Sequence, residues 1–146
     1  MGAEENRRLA QRFFDDVMNG MDATAAEEIL AREFATHHPN FPVARGPEGV
    51  LGVLNMLRSA IPDLQYAVQD IIADDATVAV RWLARGTHRG NFMGIQPTGH
   101  PVSVSGIDIF QVRAGRVVEG WVNSDILGLM QQFGALPPLG SPGAAN

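Results

Sequence analysis

The hydrophobic period of this chain changes at Pro62, and that change sets its class. Before it, apolar residues recur at helical spacing; after it, they alternate. From Glu4 to about Met18, Leu9, Phe13 and Val17 fall at i, i+4 and i+8, with Ala10 and Phe14 widening the stripe and Asn19-Gly20 as a stop. A second helix, capped by Asp22 or Thr24, is predicted through about Ala31 on a face of Ala25, Ile29 and Leu30. A third is expected from near Pro47 to about Ala60, with Val50, Leu54, Leu57 and Ile61 buried. Between the second and third, EFATHH reads as a brief extended segment ended by Pro39, and HPNFPVARGP as a loop able to bend over a pocket.

Beyond Pro62 the alternation predicts strands. LQYAVQDIIA is followed by a turn at Asp74-Asp75. TVAVRWLARGTH then puts Val78, Val80, Trp82, Ala84, Gly86 and His88 in one row. NFMGIQPTGHP is a long connection with a turn at Pro97-Thr98-Gly99. VSVSGIDIFQV places Asp108 in a row with Val104 and Phe110; Ala114-Gly115 turns into RVVEGWVNSD. Asp125 or Ser124 caps a last helix, ILGLMQQF, ended by Gly134. Helices segregated from a mostly antiparallel sheet make an α+β domain, residues 1–134, whose curved sheet leaves a conical cavity beneath the helices. The Pro/Gly/Ala-rich tail, residues 135–146, is too poor in core-forming residues to pack alone.

Composition narrows the chemistry. The chain has no cysteine, which removes thiolate catalysis and Cys-based zinc sites. A net charge of -5 with scattered arginines argues against a nucleic-acid surface. No apolar run approaches a membrane span and MGAEENRRLAQ is not a secretory leader, so a cytoplasmic protein is expected. HExxH, G-x-S-x-G, P-loop and dinucleotide patterns are absent, so no metal and no cofactor is expected.

The groups left for chemistry are few. Asp108 interrupts an apolar strand face, where a carboxylate is costly unless paired, hydrogen-bonded or protonated. Facing a cavity it is an acid or base; facing water it merely pairs with Arg81 or Arg85. His88 continues the Trp82 row and meets Asp108 if the two rows share a side; otherwise it closes the mouth of the core. His37 and His38 are neighbours, so only one of them enters a pocket. Trp121 walls a pocket or packs in an interface, and Asp125 has a competing role as a helix cap.

Two segments carry a family likeness. GTHRGNFMGIQPTG and GIDIFQVRAGRVVEGW, with Asp125 and LGLMQQFGA after them, resemble the SnoaL-like polyketide cyclases and predicted ester cyclases of the nuclear-transport-factor-2-like superfamily. The likeness runs from the first helix to Gly134. It implies a cone-shaped barrel with three N-terminal helices and a short C-terminal one, a deep apolar pocket, and a homodimer formed through the open face of the sheet. The implied activity is an intramolecular aldol ring closure on a polyketide ester without metal or organic cofactor. His88 and Asp108 match polar pocket positions, and His37, His38 and Asn40 match the rim. Many members have an acid directly after the Trp of the last strand; here Val122 follows Trp121. Asp108 or Asp125 has taken the role, or the chemistry differs, or there is none.

The resulting expectation is an acid/base enzyme on a hydrophobic small molecule, with Asp108, His88 and Asp125 as catalytic candidates. His37, His38, Asn40, Trp82, Phe92, Phe110 and Trp121 would contact the substrate. A non-catalytic binding protein, an isomerase and an epoxide hydrolase are the alternatives.

Overall fold

A computed structural model describes residues 2–140. The first helix, α1 (Ala3–Arg12), runs on into a wider π-wound segment, Phe13–Asn19. The extra residue per turn lets the consecutive Phe13 and Phe14 both turn inward with Val17. Asp22 caps α2 (Ala23–Ile29), accepting a hydrogen bond from the Ala25 amide. The chain then enters β1 (Leu30–His38) without a loop, so Leu30 and Ala31 belong to a strand and not to the expected helix.

The stretch expected as a loop forms β2 (Phe41–Arg45), antiparallel to β1. Pro42 is tolerated because β2 is an edge strand with only one neighbour. Next come α3 (Gly46–Ala60), β3 (Gln65–Ala73), β4 (Thr77–Thr87), β5 (Pro101–Arg113), β6 (Arg116–Ser124) and α4 (Ile126–Gln132). Asp125 caps α4 through the Gly128 amide. The β5–β6 turn is Ala114-Gly115, both at positive φ as a two-residue hairpin requires. The long β4–β5 connection contains a second tight reversal, Met93-Gly94, closed by paired Phe92 and Ile95 backbone bonds.

The strand order is β2-β1-β6-β5-β4-β3. All neighbours are antiparallel except β1 and β6, so the α+β sheet is mixed, and it is open, with β2 and β3 as edges. Helix α3 packs on β1 and β2, α1 on β3 and β4, and α4 on β5. Phe14, Phe34 and Phe110 are fully buried between the layers, each worth about 2–3 kcal/mol of transfer free energy. Phe13 meets Phe110 edge-on at 5.3 Å. Asn19 does more than end a helix: its Oδ1 accepts from the Tyr66 amide at 2.7 Å and its Nδ2 donates to the Tyr66 carbonyl at 2.9 Å. That clasp satisfies backbone groups on the free side of edge strand β3 and fixes the Tyr66 backbone.

The tail begins against α4, with the Gln131 amide donating to the Pro137 carbonyl; residues 141–146 of the expected tail lie outside the described residues. Among the described residues no helix is long and apolar enough to cross a membrane.

Candidate active site

Helices and inner sheet face do not meet completely. Between them lies a cavity of about 1020 Å³, its open mouth included. Phe13 and Met18 of the π-wound segment, Leu54 and Leu57 of α3, and Leu129 of α4 form the helical wall. Trp82, Phe92 and Phe110 line it too. Against this apolar surface the polar lining is sparse: Asp108, Tyr66, Thr36, His38 and Ser124.

Asp108 projects inward because it is in register with Val80 on one side and Val122 on the other. The residue is 3% exposed. The Trp82 indole Nε1–H donates to Oδ1 at 2.7 Å, and no other hydrogen bond reaches the carboxyl from the described residues. Burial pushes the Asp108 pKa up to about 7, against the indole bond, which pulls it down. The reach of the indole depends on Gly106, the β5 partner of Trp82: a Cβ there would stand 2.2 Å from an indole carbon. Arg81, the sequence-level alternative partner, instead faces outward and binds Asp70.

Tyr66 stands beside this pair, its ring 5.0 Å from that of Trp82. Burial, and then the negative charge of Asp108, raises its pKa above the ordinary tyrosine value, so the phenol keeps its proton. Tyr66 lies within the alternating run LQYAVQDIIA, and nothing local in that run marks it as chemical.

His88 does not meet Asp108. Strand β4 ends at Thr87, so the alternation that aligned His88 with Trp82 stops one residue early. The imidazole is fully buried elsewhere, accepting at Nδ1 from the Thr98 amide at 3.3 Å and lying 4.0 Å from the Phe133 ring. It ties the β4–β5 connection to the end of α4 and does not line the cavity.

His37 and His38 split as parity requires. His37 faces out, bonded to Glu119 at 2.8 Å and stacked on Trp121 at 5.7 Å. Trp121 is therefore on the outer face, 40% exposed, where it lines a separate hollow with Ile107 and Ile109 and does not wall the inner cavity. His38 faces in, its Nε2 2.7 Å from the Ser124 hydroxyl, and burial lowers its pKa. Asn40 is exposed, does not line the cavity, and donates its backbone N–H to His38 Nδ1. Asp125 is taken up by its helix cap and is not a cavity residue. Thr36, Tyr66 and Ser124 are the polar lining groups that sequence reasoning missed; Ser124 was offered only as a cap, and its signal was sharing parity with Val122. Among the described residues no three His, Cys, Asp or Glu side chains are grouped to hold a metal ion.

Comparison with known proteins agrees with this architecture. The family model for the SnoaL-like polyketide cyclases matches residues 8–133. IdmH from Streptomyces antibioticus, described as a candidate polyketide cyclase, is 33% identical; the match covers 87% of this chain and 96% of that one at a TM-score of 0.76. TsrD from Streptomyces laurentii is 29% identical over 93% and 99% of the two chains, with a TM-score of 0.81. AclR from Streptomyces galilaeus, described as a candidate hydroxylase, is 26% identical over 94% and 85%, also at 0.81. Comparison with curated proteins gives no match.

Proposed function

As this chain belongs to the SnoaL-like polyketide cyclase family, we propose that it is an acid/base enzyme that closes a ring in a hydrophobic, polyketide-like carbonyl compound. One observation carries the reading: a buried carboxyl held by a single indole in a mostly apolar cavity, where burial pushes its pKa up to about 7. That value is matched to proton transfer near neutrality. The ionised Asp108 takes the proton from a carbon already acidified by flanking carbonyls. The resulting enolate carbon attacks a second carbonyl of the same molecule, forming the new C–C bond. The alkoxide so made takes the proton back from Asp108, so the reaction is a net isomerisation with no cofactor. Apolar walls supply the rest by folding a flexible chain so that its acidic carbon lies against the second carbonyl carbon.

Val122 bears on where the acid sits. It is in register with Asp108 across β5 and β6, on the same face, so a carboxylate at either position reaches the same part of the cavity. In this reading the acid has moved one strand over, from the residue after Trp121 to Asp108.

The test is deuterium exchange at the acidic carbon of ethyl naphthoylacetate in deuterium oxide. The protein should accelerate exchange over buffer, with a rate that rises with pH through about 7 as Asp108 ionises. Asp108→Asn should lower the rate by about 10²–10⁴-fold. Binding of the ester with no exchange would instead favour a carrier or binding protein. The outer face, with Ile107, Ile109 and Trp121 exposed, is proposed as the homodimer interface; light scattering should give a dimer for the native chain and a monomer for Ile109→Asp.

A further inference from the structure

We propose that Ser124 is the hydrogen-bond donor that receives the substrate's carbonyl oxygen, and that His38 is the positioning residue that leaves it no other role. This rests on the acid/base reading above and adds the group that stabilises the enolate. The Asn40 backbone N–H can only donate, and it lies 3.0 Å from His38 Nδ1, so Nδ1 carries the lone pair. A neutral imidazole has one N–H, which must then be on Nε2. Nε2 is 2.7 Å from the Ser124 Oγ, so it donates to that oxygen. Phe41 packs at 4.7 Å from the imidazole ring, holding it in place.

The serine hydroxyl thus accepts from His38, and its own proton has no partner among the described residues. Since both side chains line the cavity, that proton is available to a ligand there. The same tautomer excludes a hydrolase-like role: with a proton on Nε2, His38 has no lone pair facing Ser124 and cannot take its proton to make a nucleophile. Donation to the histidine-bound hydroxyl also polarises it, strengthening the bond it gives.

Placement relative to the base fits an enolisation. Asp108 pairs with Val122 and Gly106 with Ser124, so Asp108 and Ser124 are diagonal neighbours on one face. Such neighbours are typically about 7–8 Å apart along the backbone. A carbonyl oxygen and the carbon two bonds away fit between them, oxygen to Ser124 and carbon to Asp108. The ligand class is accordingly an apolar molecule with a ketone or ester carbonyl next to its acidic carbon.

The experiment uses the full chain and two probes of similar shape, acetylnaphthalene and isopropylnaphthalene, which differ in having or lacking the carbonyl. Ser124→Ala should weaken the ketone by about five- to tenfold and leave the hydrocarbon unchanged. The infrared carbonyl stretch of the bound ketone should lie at lower frequency in the native protein than in Ser124→Ala. His38→Phe should remove the same shift, and Asp108→Asn should keep it while losing deuterium exchange. Nitrogen NMR of the native imidazoles should show His38 as the neutral Nε2–H form. Equal ketone affinity and stretch in native and Ser124→Ala protein would overturn the donor assignment while leaving Asp108 as base. A His38 protonated on Nδ1 would overturn the relay, and failure of the native protein to bind either probe would overturn the ligand cavity and the donor together.

Discussion

On the inner face of the sheet one carboxylate, Asp108, is sealed against the Trp82 indole, whereas on the outer face of β3 and β4 another, Asp70, lies open to water against Arg81. Both are strand aspartates with one hydrogen-bonding partner. Their surroundings separate them: Asp70 has a full counter-charge and solvent, and Asp108 has a neutral donor and a hydrocarbon wall. A charge in the second setting costs folding free energy, and the proton affinity that results is what a base at neutral pH requires. The outer face carries its apolar residues in water and its charges in pairs; the inner face does the reverse.

The widest separation between the two carboxylates should appear in stability against pH. Asp108 keeps its proton to about pH 7 when folded and loses it near 3.8 when unfolded. Between those values the folded state binds more protons, so the stability contributed by this group falls as pH rises, and above about 7 the whole penalty is present. Its ceiling is roughly 4 kcal/mol, from about 1.4 kcal/mol per pKa unit. Asp108→Asn should therefore raise the melting temperature clearly at about pH 8 and much less near pH 4, in thermal scans across that range. Asp70→Asn removes one side of an exposed ion pair and should change stability by less than about 1 kcal/mol.

A smaller effect should follow from Gly106→Ala. The added methyl would displace the Trp82 indole, costing about 1–3 kcal/mol in denaturant unfolding and breaking the bond to Asp108. Losing that donor should move the Asp108 pKa further up, and with it the midpoint of the exchange rate. The smallest effect belongs to the outer pair, since Arg81→Ala breaks an exposed ion pair worth less than about 1 kcal/mol.

How much of this was legible depended on whether the relevant rule was local. Alternation alone put Asp108 in one row with Phe110 and set His37 and His38 on opposite faces, because parity holds wherever a strand is regular; that the row faces a cavity and not water depends on the helices packed over it. It misplaced His88, because the strand ended one residue before it. The second strand was hidden by Pro39 and Pro42, which local rules read as loop and which the edge position accommodates. Helical spacing located the first helix but not its π-wound end, where packing of Phe13 and Phe14 overrides the regular turn. The pairing of His38 with Ser124 joins residues 86 apart and depends on the parallel β1–β6 contact, which no local pattern announces. Trp121 was equally consistent with cavity and interface until the register Ile109 to Trp121 put it outside.

The measurement that bears most directly on the inner carboxylate as a working base is a carboxyl-carbon NMR titration of Asp108, with Asp108→Asn identifying the resonance. A midpoint near 7 is predicted. A midpoint near the ordinary aspartate value of about 3.9 would mean a solvated or ion-paired group, and would contradict the assignment of Asp108 as the base.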